Sequence, residues 1–88
     1  MKHASHPAIV KRLLRAQGHL KSTVEMFAQG RGCLDLAQQL HAVEAAIANA
    51  KRELIHDHIE HCLEDGAPKG DQGMRRMVGE MRSLAKYL

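Results

Sequence analysis

From Cys33 to Leu63 the chain contains neither proline nor glycine. As one α-helix such a stretch rises about 45 Å at 1.5 Å per residue, well beyond the ordinary helix of about three turns. Inside it Leu36, Leu40, Val43, Ile47, Ala50 and Leu54 alternate steps of four and three residues. That is the spacing of a coiled-coil-like seam, so the dominant element must pack lengthwise against other helices. On its N-terminal side, Pro7 suits the first turn of a helix. Ile9, Leu13, Ala16, Leu20, Val24 and Phe27 then form an amphipathic stripe, which Gly30 and Gly32 bring to an end. The loop GAPKGDQG precedes a third helix, roughly Asp71 to Tyr87, with Met74, Met77, Val78, Met81, Leu84 and Ala85 as its apolar face. The expectation is an all-α, three-helix protomer forming one domain over residues 1–88.

Composition narrows the function classes. Phe27 and Tyr87 are the only aromatic residues among 88, so a base-stacking platform for single-stranded nucleic acid is excluded. No apolar run approaches the ~20 residues that cross a bilayer. The opening MKHASHPAIV lacks the apolar core of a signal peptide, and a cytoplasmic protein is expected. Two cysteines are too few for a disulfide scaffold, whereas seven histidines beside them point to transition-metal chemistry. A chain of this size buries only about 60–65% of its unfolded surface, and association with a second copy would complete its core. Charge is uneven: residues 1–31 carry net +5 and residues 32–63 net −3, which marks the first third as a surface for a polyanion.

His58 and Cys62 are four residues apart on the long helix and therefore share a face on which they can hold one ion. Cys33 is their natural third partner, yet it precedes Cys62 by 29 residues. Along one helix that is about 43 Å, so a single chain cannot join the three groups. Two chains can, if their long helices pack antiparallel and set Cys33 of one beside His58 and Cys62 of the other. The midpoint falls among Ala45, Ala46, Ile47, Ala48 and Ala50, mostly small residues that allow close approach. Two-fold symmetry then produces two equivalent sites. His19 and His41 are read as packing or surface residues. His56 and His61 point away from the His58–Cys62 face and are read as mostly solvent-exposed.

Three stretches, VKRLLRAQGHL, GCLDLAQQLHAVEAAI and IHDHIEHCLED, carry a resemblance over essentially the whole chain. The sequence resembles the CsoR/RcnR family of small helical metal-sensing repressors. Its Cys, then His 25 residues on, then Cys four further, matches the ligand pattern of the copper-sensing branch at Cys33, His58 and Cys62. The resemblance implies an antiparallel helical dimer, usually a dimer of dimers, that binds double-stranded operator DNA without a helix-turn-helix and releases it on binding metal. It also implies that Arg12 and Arg15 face DNA, and that Glu80 supports the metal site from the third helix. Lys11, Lys21, Lys51 and Arg52 are added as phosphate contacts on charge alone.

Two thiolates and an imidazole favour Cu(I). Nickel sensors in the family share this set and add a nitrogen ligand near the N-terminus, for which His3 and His6 are the candidates, and Gly32 stands where some copper sensors carry Tyr. Ni(II) is therefore the competing inducer. Formaldehyde-responsive members lack the second thiol and persulfide-responsive members lack the histidine. A cytosolic metal buffer or chaperone is the alternative outside gene regulation. The basic first third and the lack of a flexible C-x-x-C loop speak against it. An enzyme is not expected, since no catalytic pair stands apart from the ligands.

Overall fold

The computed structural model describes residues 5–66, 68 and 70–88. It contains three helices: α1 (His6–Ala28), α2 (Cys33–Glu64) and α3 (Gly70–Ala85). Pro7 lies in the first turn of α1, where its missing N–H would have had no helical partner in any case. The turn out of α1 closes on two backbone hydrogen bonds: Arg31 N donates to Met26 O at 3.2 Å, and Gly30 N donates to Phe27 O at 3.1 Å. This is a Schellman cap, and it requires a left-handed residue at Gly30, whose φ is +71°. Gly32 then stands at the N-cap of α2, and Arg31 Nη2 lies 2.6 Å from Asp35 Oδ2 across the new first turn.

The short connection folds α2 back along α1. Ile9 and Ala16 of α1 and Leu36, Val43 and Ala50 of α2 form the core at seven-residue intervals, joined by Ile55 near the end of α2. Thr23 is fully buried in the same row, and its hydroxyl satisfies itself by donating to the His19 carbonyl at 2.9 Å. Midway along the seam His19 Nε2 lies 2.6 Å from Gln39 Oε1. α3 packs lightly against the end of α2, with Gly73, Met77, Met81 and Leu84 half-buried and no residue fully buried. Gly73 is needed at this corner: a Cβ there would come 2.9 Å from the Pro68 Cβ.

The predicted apolar stripes are only half used within the chain. Ile9 and Ala16 are buried as expected, but Leu13, Leu20, Val24 and Phe27 remain 41–61% exposed. On α2 the expected seam splits into two columns: Leu36, Val43 and Ala50 face α1, while Leu40, Ile47 and Leu54 stay 40–47% exposed. The physical reason is geometric. A seam with 4-3 spacing spans two adjacent columns, and a single neighbouring helix covers one of them. The molecule measures 60 × 23 × 13 Å with a radius of gyration of 18.0 Å, against about 12 Å for a compact chain of this length. Its least dimension is close to the thickness of one helix, so the fold is a single layer of helices, open on an apolar side.

Candidate metal centre and basic edge

Both ends of α2 carry soft donors. Cys33 is its first residue and is exposed; Cys62 lies in its last turn and is half-buried. His58 sits one turn before Cys62, placing imidazole and thiol on one face. Between Cys33 and His58 the helix rises about 38 Å. Among the described residues, no three His, Cys, Asp or Glu side chains within one chain come together as a group able to hold a metal ion.

The corner between α2 and α3 orients His58. Glu80 reaches across from α3 and sets its Oε1 3.0 Å from His58 Nε2. A carboxylate on one ring nitrogen fixes the ring and its tautomer and leaves Nδ1 as the nitrogen with a lone pair to offer. The donor chemistry of Cys33, His58 and Cys62 is that of a soft, low-coordinate ion, and the Glu80 contact suits a ligand histidine.

His6, a candidate nitrogen donor, is brought to this end of the molecule because α1 begins where α2 finishes. Its Nε2 lies 4.0 Å from Asp57 Oδ2, and His61 Nδ1 lies 3.8 Å from Asp57 Oδ1 on the other side. Asp57 thus links the start of α1 to the last turns of α2. This corrects the reading of His61 as largely solvent-exposed: its side chain is 28% exposed because Asp57, one turn earlier, draws it inward. His56 and His41 are exposed, and His19 packs against Gln39. The other proposed nitrogen donor, His3, lies outside the described residues.

The basic residues do not share one face. Arg12 and Arg15 stand together on one edge of the α1–α2 pair, and Arg12 Nε meets Glu53 Oε2 at 3.2 Å. Arg52 Nη1 donates to Asn49 Oδ1 at 3.0 Å on the same stretch of α2. Lys11, Lys21 and Lys51 are exposed. Helix geometry turns Lys21 about 120° from Arg15, so Lys21 belongs to a different side of α1. Charge counting missed Glu53 and Asn49. A turn centred between Gly30 and Arg31 already places Arg12 level with Asn49 and Arg15 level with Ala46, and that register was the available signal.

The class follows from comparison with known proteins: the model of the metal-sensitive transcriptional repressor family matches residues 5–87, and the chain belongs to that family. Its members are regulators of transcription rather than enzymes. Among individual relatives, the chain is similar to the copper-sensing transcriptional repressor CsoR of Bacillus subtilis (strain 168), with 36% identity over 80 residues, 89% of this chain and 79% of the relative. It is also similar to CsoR of Mycobacterium ulcerans (strain Agy99), 36% identical over 56 residues that span 64% of this chain and 48% of that one. The copper-sensing repressor RicR of Mycobacterium tuberculosis (strain ATCC 25618 / H37Rv) is 29% identical over 70 residues, covering 80% and 73% respectively. No solved structure gives a significant match. No helix among the described residues is long and apolar enough to cross a membrane.

Proposed function

We propose that this chain, one domain over residues 1–88, is a copper-responsive repressor. In this reading it holds operator DNA in the metal-free form and releases it when Cu(I) enters a site shared between two chains. The observation that carries the reading is the division of one soft ligand set between the two ends of a single uninterrupted helix. Cys33 is useless to His58 and Cys62 of its own chain, and antiparallel pairing with a second copy supplies what each end lacks. The open apolar side supports that pairing. Leu40, Ile47 and Leu54 of α2 and Leu13 and Leu20 of α1 are all 40–47% exposed, and a groove of about 410 Å³ is lined by Val10, Leu13, Leu14, Leu20 and Ile47. Ile47 lies midway between Cys33 and the His58–Cys62 pair, where a two-fold axis would cross. Dimers pairing further into tetramers would use apolar residues of α1 outside that groove, such as Val24 and Phe27.

Cys33 of one chain with His58 and Cys62 of the partner subunit would hold the metal, which supplies a soft Lewis-acid centre that bonds both thiolates. The chain's own residues do the rest: Glu80 orients the imidazole, and α3 ties that orientation to the end of α2. Copper is preferred to nickel because the relatives are named for copper and because His6 is engaged with Asp57. Double-stranded DNA is the second partner, met through Arg12 and Arg15 with Lys11 and Arg52 nearby.

The test is an anaerobic Cu(I) titration followed by fluorescence anisotropy on the DNA upstream of the protein's own gene. The expected result is one Cu(I) per chain and a DNA affinity lowered about five- to 150-fold, a coupling of about 1–3 kcal/mol. Stoichiometric copper with no change in DNA affinity would make the metal structural and overturn the sensor reading. Copper binding without any specific DNA complex would identify a metal buffer instead.

A further inference from the structure

A cleft of about 250 Å³ crosses the α1–α2 seam on its basic edge, lined by Arg12, Arg15, Ala16, His19, Ala46 and Asn49. Its parts are arranged as an anion seat. Ala16 and Ala46, one from each helix, are too small to fill the space between the helices, so they form the floor. His19, held by Gln39, forms one wall. Arg12 is met by Glu53 at Nε, which fixes the guanidinium and keeps the donors of its two terminal amino groups for a ligand. Asn49 is oriented in the same way. Its Oδ1 accepts from Arg52, so the Nδ2 amino group is the part of the amide left to donate.

We propose that this cleft seats a phosphate group of the DNA backbone, with Asn49 as a neutral donor between two arginines and Glu53 as the residue that positions Arg12. The inference rests on the repressor reading and adds to it residues of α2 that charge alone did not single out. A seat built from both helices also explains how an edge without a reading helix can grip DNA: the contact depends on the spacing of α1 and α2, which a rigid seam holds constant. Phosphate contacts position a protein on the duplex without reading bases, so the seat contributes to binding on any sequence.

The experiment uses the full-length metal-free protein and two duplexes, one from upstream of its own gene and one unrelated, titrated by fluorescence anisotropy at several salt concentrations. Asn49→Ala is expected to weaken binding to both duplexes about tenfold, the scale of a lost hydrogen bond to a charged group. The salt slope stays unchanged, because asparagine displaces no counterion. Arg15→Gln weakens binding and lowers the slope by about 0.9 for each contact removed. Asn49→Asp puts a carboxylate in the seat and is expected to abolish binding at moderate salt. Asn49 is exposed on a helix, where alanine is the better helix former, so the variants should keep the wild-type circular dichroism. Wild-type affinity in Asn49→Asp, or a loss on one duplex only, overturns the phosphate assignment. A wild-type protein that binds neither duplex overturns the repressor reading itself. Calorimetric titration of the DNA-free protein with inorganic phosphate separates the two sources of the group: phosphate binding that is lost in Asn49→Asp while that variant keeps wild-type DNA affinity would assign the cleft to free phosphate and overturn the DNA assignment.

Discussion

The division of the ligand set between the ends of α2 has a quantitative consequence for mixed assemblies. Consider chains carrying Cys33→Ala and chains carrying Cys62→Ala, unfolded together in equal amounts and refolded under anaerobic conditions. A dimer of either variant with itself has no complete site. A mixed dimer has one complete site, formed by Cys33 of the second chain with His58 and Cys62 of the first, and one that lacks both cysteines. Random pairing makes half of the dimers mixed, so about a quarter of the wild-type Cu(I) capacity returns from two parents that each have none. The rise of about 38 Å from Cys33 to His58 is what forbids recovery inside one chain. A Cu(I) titration against a chromophoric chelator reads the capacity, with each variant alone as the baseline. Recovery of nothing would refute the shared site. High-affinity binding in either parent alone would refute the ligand assignment.

Three other perturbations probe separate parts of the argument. Ile47→Glu places a charge in the open apolar column near the expected two-fold axis, and light scattering after size exclusion should show monomer where the wild type shows dimer or tetramer; an unchanged mass would move the interface elsewhere. Glu80→Ala removes the carboxylate from His58 Nε2 and is expected to lower Cu(I) affinity about 10–100-fold while leaving metal-free DNA binding intact, so a loss of both together would assign Glu80 to folding. Gly30→Ala meets no atom within 4 Å but must hold φ +71°, and urea unfolding should show a loss of about 1–2 kcal/mol; no loss would mean that the turn relaxes.

Much of the helical frame is legible in the sequence because its punctuation is chemical. Pro7 and Gly30 bound the first helix within a residue or two, and the absence of Pro and Gly from Cys33 to Leu63 yields an α2 that extends to Glu64. Which apolar residues meet inside one chain was not legible. Leu36 and Leu40 are equally apolar, and periodicity alone cannot say that one faces α1 while the other waits for a different surface. Contacts that depend on register and long side chains were hidden for the same reason. Arg12 with Glu53, and Asp57 between His6 and His61, follow only once the turn at residues 29–32 has set how far α2 slides along α1. Glu80 is a case between the two. Its pairing with His58 came from resemblance to a family, since nothing local to either residue foretells where a helix beyond a proline- and glycine-rich loop will dock.

The slab-like protomer, 13 Å in its least dimension, couples folding to abundance. A single layer of helices has no second wall, and in the proposed assembly the other chain is that wall. Folding is then second order: each tenfold dilution of chains destabilises the folded dimer by about 1.4 kcal/mol, and a marginal chain without a companion is exposed to proteases. A cell that makes little of this protein loses DNA occupancy twice, once because there are fewer chains and again because a smaller share of them is folded. The regulator's effective dose therefore rises faster than its synthesis, a steepness that comes from an unfinished core and needs no cooperativity at the metal.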